Sequence, residues 1–232
     1  LSQWFRSRGE EVPIYSSELC GAKTLAENYR VLADKLALDA IVIVDGGSDS
    51  LMRGDEEGLG TPSEDIASIV AVSMVDVPIK LLSCIGFGVD WHHGVCHSRY
   101  LEATAELAAE GGFLGLFSVL KGMSEAELYR EACDYVFKRM PGQESIVSTS
   151  ILSAIDGNFG DYHASSRTSG SKLWISPLMS AYWSYRLTAV VARLLYPLDE
   201  LSSTRGIMDV SNVIIGYRKR LAKARPWEGI PV

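Results

Sequence analysis

Five consecutive residues, Ala40-Ile41-Val42-Ile43-Val44, constrain this chain more than any other stretch. A run that is apolar on both alternating sides, and mostly β-branched, predicts a buried strand in a parallel sheet covered on both faces. Ahead of it, Leu25, Tyr29, Leu32 and Leu36 recur at helical spacing over about residues 24–38. Behind it, Thr61-Pro62-Ser63-Glu64 combines a capping residue, a proline at the first helical position and a capping-box glutamate. That signal opens an apolar helix carrying Ile66, Ile69, Val70 and Val72 to Val75, which suits either a core or an interface.

The alternation continues. A second buried strand is expected over residues 79–85, a helix over 98–110, a strand over 113–120, and a helix from the capping box Ser124-Glu125-Ala126-Glu127. Further on, Leu173 to Ile175 reads as a strand, Pro177 to Leu195 as an aromatic-rich helix, and about Asp209 to Lys223 as a last helix. Alternating helices and strands with short connections predict one α/β domain over residues 1–232: an open, mostly parallel Rossmann-like sheet with helices on both faces. The chain opens at Leu1 inside what reads as a helix (Trp4, Phe5), so residues are expected upstream.

Charge narrows the partners. Twenty-two basic against 29 acidic residues leave a net charge of -7, which argues against a nucleic-acid surface. The one basic cluster, Arg218-Lys219-Arg220 with Lys223 and Arg225, reads as the solvated end of a helix. Four scattered cysteines (Cys20, Cys84, Cys96, Cys133) without a CxxC pair fit a reducing, cytoplasmic setting. No apolar run approaches the ~20 residues of a membrane span, and no signal peptide is visible. A small molecule is the expected partner, and assembly with further copies of the chain is left open.

In open α/β sheets ligands sit beyond the carboxyl ends of the strands. Three polar loops are expected there. The first runs from Asp45 to Gly60, and between Asp45 and Asp65 it holds seven acids and one base, Arg53. Gly46 and Gly47 permit positive φ and close backbone approach to a ligand, and Ser48, Asp55 and Glu56 join them as candidate ligand-binding residues. The pattern is no dinucleotide or Walker loop, and its charge opposes a bare phosphate. It suits a divalent cation, an amine or sugar hydroxyls, with Asp45, Asp49 and Asp55 as candidate ligands for Mg²⁺. A solvated turn whose aspartates bond their own backbone is the plainer alternative.

The second loop, Gly86 to His93, supplies His92 and His93 as candidate proton carriers. His93 and His97, four apart and so on one face of a helix, with Cys96 adjacent, have the residue types of a transition-metal site; no acidic third ligand sits at an expected spacing, though Asp90 is near. The third loop, Asp156 to Ser171, holds His163 beside Asp161, and Ser169-Gly170-Ser171 as a candidate anion-holding turn. No G-x-S-x-G elbow is present.

At Val44-Asp45-Gly46-Gly47-Ser48-Asp49, through Leu51, Gly54-Asp55-Glu56, Gly58 and Thr61-Pro62, the chain resembles a domain-of-unknown-function family of archaea, bacteria and some fungi. The similarity continues through Leu173-Trp174-Ile175 and Pro177-Leu178-Met179. It implies a Rossmann-like sheet and brings no reaction with it. The family's opening strand and Gly-rich turn have no counterpart here, which implies a sheet lacking one strand and a site lacking one wall. A shorter likeness, to the D-G-G-N run of D-glutamate cyclase-like proteins, covers only a few residues.

Together these readings predict a small-metabolite enzyme, a hydrolase or lyase. Asp45 and Asp49, with Mg²⁺ as a candidate aid, would work with His92, His93 or His163 as proton carriers. The alternative is a non-catalytic module that senses or binds a nucleoside- or amino-acid-like ligand.

Overall fold

The computed structural model describes residues 1–171 and 173–230. A short helix α1 (Ser2–Ser7) leads to α2 (Ala22–Leu36), β1 (Ala40–Asp45), α3 (Pro62–Ser73) and β2 (Ile79–Cys84). Then come α4 (His97–Ala109), β3 (Phe113–Ser118), α5 (Ser124–Phe137) and α6 (Ile146–Ile155). The remainder is a small hairpin of β4 (Gly160–Asp161) and β5 (Trp174–Ile175), then β6 (Ala181–Arg186), α7 (Leu187–Arg193), α8 (Leu198–Ser203) and α9 (Ile207–Arg220).

The main sheet has the order β1-β2-β6-β3. β1 and β2 run parallel in unbroken register, from Ala40 opposite Ile79 to Asp45 opposite Cys84. β6 is antiparallel to both of its neighbours. The sheet is therefore mixed, with one parallel pair, and the expectation of a mostly parallel Rossmann-like sheet is corrected. The cause is Ala181–Arg186, expected as part of one long helix. Instead Pro177–Ser180 forms a 3₁₀ turn, the next six residues form β6, and only Leu187–Arg193 is helical. Burial in β6 alternates strictly, with Ala181, Trp183 and Tyr185 inward. Aromatic residues with a period of two favour a pleated strand once partners exist on both sides.

One face of the sheet carries the main core. Ile69, Val70, Leu82, Tyr100, Leu107, Trp183, Tyr185 and Leu187 pack there with Ile41 and Ile43. The apolar α3 belongs to that core: Ile66, Ile69, Val70 and Val72 are buried, so it is not an exposed interface. The opposite face is covered only in part. Val42 and Val44 are 46% and 57% exposed, so β1 is not sealed on both sides as its composition implies. At the carboxyl ends of the strands, Ile85 and Val119 pack against α5 and α6 through Ala126, Ile151 and Ile155.

Two expected caps go elsewhere. Thr61 stands at the N-cap of α3, but its hydroxyl donates to Asp49 rather than capping the helix. Ser124 lies inside α5, whose N-cap is Met123. The third polar loop also follows a helix rather than a strand, because Asp156 ends α6. No helix among the described residues is long and apolar enough to cross a membrane.

Candidate functional site

The acidic loop after β1 divides into two groups that differ in whether arginine reaches them. In the first, Arg53 Nε lies 3.1 Å from Asp55 Oδ1 and Arg225 Nε lies 2.9 Å from the same atom. Arg225 also pairs with Glu56 at 3.0 Å and with Glu102. Glu56, 2% exposed, further accepts from the backbone N–H groups of Arg53 (3.1 Å) and Gly54 (2.9 Å). Arg218 donates to the carbonyls of Gly54, Glu56 and Glu57. The C-terminal basic cluster is therefore not simply solvated: Arg218 and Arg225 fold back onto the loop. Burial alone would raise the Asp55 carboxyl, but hydrogen bonds and charge from Arg53 and Arg225 overcome it and hold Asp55 below its ordinary value.

The second group is Asp45, Asp49, Asp65 and Asp90. No ion pair among the described residues reaches any of them. They come from four places: the end of β1, the 3₁₀ turn Asp49–Leu51, the first turn of α3, and the 3₁₀ turn Val89–His93 that follows β2. Ser50 Oγ donates to Asp45 at 2.7 Å, and the Ser48 backbone N–H donates to Asp90 at 2.7 Å. Asp49, 6% exposed, accepts from the Thr61 N–H at 2.8 Å and its hydroxyl at 3.1 Å. The Oδ2 of Asp65 is buried without a hydrogen-bond partner among the described residues.

Burial and mutual repulsion push these acids upward. Burial first, then the Asp49 charge, raises Asp45 to about 6 against the ordinary 3.8. The same causes raise Asp90 to about 7. Asp65, desolvated and facing Asp49, Asp45 and Asp90, rises to about 9. The predicted trio of Asp45, Asp49 and Asp55 is therefore corrected. Asp45 and Asp49 do interact, but Asp55 belongs to the arginine group, and Asp65 and Asp90 take its place. Among the described residues no set of three or more His, Cys, Asp or Glu side chains is arranged to hold a metal ion.

The glycines serve close approach rather than unusual dihedrals, because neither Gly46 nor Gly47 has positive φ. A Cβ on Gly46 would lie 3.1 Å from Val147 Cγ1, where α6 crosses the end of β1. A Cβ on Gly47 would collide with the Asp90 carboxylate and stand 3.2 Å from Asp49 Oδ1. Asp49 and Asp90 thus face each other across a position that only glycine can occupy.

Cavities flank the acids on two sides. One of about 560 Å³ lies under α5 and α6 and is lined by Val44, Gly46, Ile85, Val147 and Tyr182. The other, about 600 Å³, opens beside the turn Val89–His93 and includes His92 and His97. Asp90 comes from that same turn, so one short element faces both the acids and the cleft. His92 and His93 are exposed with ring centroids 4.2 Å apart; burial and then the His93 charge lower His92. His93 and His97 do not share a helix face, since Gly94 separates the turn from α4. Cys96 instead bonds Ser98 and the backbone of Glu228.

The third loop is self-satisfied. His163 bonds Asp161 Oδ1 at 3.0 Å through Nε2 and Thr168 Oγ1 at 2.9 Å through Nδ1, so both ring nitrogens are occupied locally. The N–H groups of Ser169 and Ser171 already donate to Ser166 and Thr168 carbonyls. Ser169-Gly170-Ser171 is therefore not a free anion cradle. Lys172 lies outside the described residues.

Sequence reasoning missed Ser50, Thr61, Asp65 and Asp90 as partners in the acidic group. The legible signal for Asp65 was an acid one helical turn inside α3 with no basic residue at (i, i+4). Comparisons with curated proteins and with solved structures return no match. A family model described as a protein of unknown function, DUF1152, matches residues 10–215, and the chain belongs to that family.

Proposed function

We propose that the chain is a small-metabolite enzyme of the hydrolase or lyase kind whose proton-exchanging groups are the carboxyls of Asp45 and Asp90. The observation that carries this reading is the set of four aspartates gathered at the carboxyl ends of the parallel pair β1 and β2 without a counter-cation among the described residues. Desolvated like charges cost stability, and such groupings persist where function needs them. Near neutrality Asp45 at about 6 and Asp90 at about 7 can each accept or release a proton, the condition for efficient general acid–base work. Ser50 and Ser48 orient these carboxyls, and His92 in the adjoining cleft is a further proton carrier. The four free thiols support a reducing, cytoplasmic setting as part of the same proposal.

The test is a thermal-shift and product screen over polar and phosphorylated metabolites, each with and without Mg²⁺ or Mn²⁺. A ligand that raises the melting temperature and yields product by mass spectrometry is expected, with turnover lost in Asp45→Asn. Turnover unaffected in both Asp45→Asn and Asp90→Asn would overturn the reading. A metal that binds and depends on Asp45 would add Mg²⁺ to the site.

A second reading, a non-catalytic module for a nucleoside- or amino-acid-like ligand, is favoured by Asp49. Two bonds from Thr61 immobilise that carboxylate, which suits holding an ammonium or hydroxyls more than moving a proton. Ligand binding that depends on Asp49 and Asp45, with no product formed, selects this reading.

A further inference from the structure

We propose that the cleft beside the turn Val89–His93 binds a flat nitrogen heterocycle of nucleobase size carrying an exocyclic amino group. Its use as a substrate rests on the enzymatic reading above; its binding does not. The cleft, about 600 Å³, falls within the usual size of small-molecule sites. Two tryptophans line it, Trp91 at 37% and Trp174 at 61% exposure. Large aromatic faces left open to water beside a concave surface are what a stacking ligand requires.

The polar groups are placed by the backbone. Asp161 and Trp174 are direct cross-strand partners in the β4–β5 ladder, so their side chains leave the same face of the hairpin. Both line the cleft. One Asp161 oxygen is taken by His163, and the other has no hydrogen-bond partner among the described residues and can accept from an amino group. The floor is rigid: the Phe87 ring lies 5.1 Å from that of His97 and stacks at 5.9 Å on Trp183 in the main core. His97 completes the same wall, with its ring set against the backbone of Gly88. Together these features form an aromatic slot with an acceptor at its rim. An aliphatic ligand would waste the tryptophan faces, and an anionic one would meet Asp161.

The experiment uses the full chain, with adenosine as probe and purine riboside, the same ring without the amino group, as comparison. Binding is read by quenching of tryptophan fluorescence and by thermal shift. Adenosine is expected to bind more tightly than purine riboside. Trp174→Ala should weaken adenosine by about ten-fold, the loss of roughly one stacking contact. Trp91→Ala provides a second variant, and near-ultraviolet circular dichroism confirms that both remain folded. Asp161→Ala, which removes the acceptor, should remove the preference for adenosine over purine riboside while leaving purine riboside affinity unchanged. Absence of adenosine binding overturns the proposal, as does binding indifferent to both tryptophan variants. Equal affinity for the two probes overturns the amino-group assignment. Adenosine binding by the parent chain, with no product from any metabolite in that same chain, upholds this inference while the enzymatic reading fails. Asp45-dependent turnover of another metabolite, without adenosine binding, does the reverse.

Discussion

A single aspartate, Asp49, organises the charge of the candidate site, because its carboxylate raises Asp45, Asp65 and Asp90 together. Asp49→Asn is therefore expected to lower Asp45 and Asp90 toward the ordinary 3.8, which carboxyl-carbon NMR titration would read directly. Unchanged titration would mean that burial alone sets those values. The pH dependence of stability follows from the same groups. All three titrate higher in the fold than in the unfolded chain, so the fold holds more protons above about pH 4. Their contribution is fully present below the unfolded value and is lost as pH rises through about 6 for Asp45, 7 for Asp90 and 9 for Asp65. The melting temperature should fall between pH 5 and pH 9, and Asp65→Asn should flatten the upper part of that fall. A site kept for function should also grow more stable when disarmed, so Asp45→Asn should melt higher than the parent at pH 8.

At the scale of elements, β6 decides the architecture. Its Trp183 joins Cys84 on one side and Leu116 on the other, at the centre of an aromatic group with Phe87, Tyr100 and Phe113. Trp183→Ala should cost about 3–5 kcal/mol in urea unfolding, as for other large-to-small core changes. Trp183→Phe should cost well under half of that, because it also removes an indole N–H buried without a partner among the described residues. The parallel pair was legible in the sequence because Ala40–Val44 is an apolar run and Ile79–Cys84 a mostly apolar one, each bounded by helix signals. Asp45 at the end of β1 was legible for the same reason. β6 was not, since Tyr182, Trp183 and Tyr185 satisfy a helical period nearly as well as a period of two. What selects the strand is the pair of neighbours β2 and β3, sequence-distant partners that no local window contains. The caps failed for a related reason: Thr61 serves Asp49 across the loop instead of its own helix, a local rule yielding at the candidate site.

Across the whole molecule, the chain after α9 returns to the loop after β1 and sorts its acids. Arg225 pairs with Asp55, Glu56 and Glu102. Its backbone N–H donates to Asp55, and its carbonyl accepts from Glu57. No window around residues 45–65 reveals that Asp55 and Glu56 are neutralised from a position about 170 residues away, and so Asp55 was grouped wrongly with Asp45. Arg225→Ala leaves Glu56 buried with only its two backbone donors. Removing one partner of a fully buried pair costs about 3–5 kcal/mol, and the partial exposure of Arg225 lowers this to ~2–3 kcal/mol. Arg225→Lys should recover only part of the loss, because one ammonium cannot span three carboxylates. Since Asp55 and Glu102 are held low by arginine, their stabilisation is present above the ordinary carboxylate range and is lost on acidification. Arg225→Ala should therefore destabilise strongly at pH 7 and little near pH 3, the opposite slope to that of the Asp45 group. Titration of Asp45 and Asp90 should be unchanged in the same variant. If Arg225→Ala shifts them, the two groups of acids are coupled and the division of the loop fails.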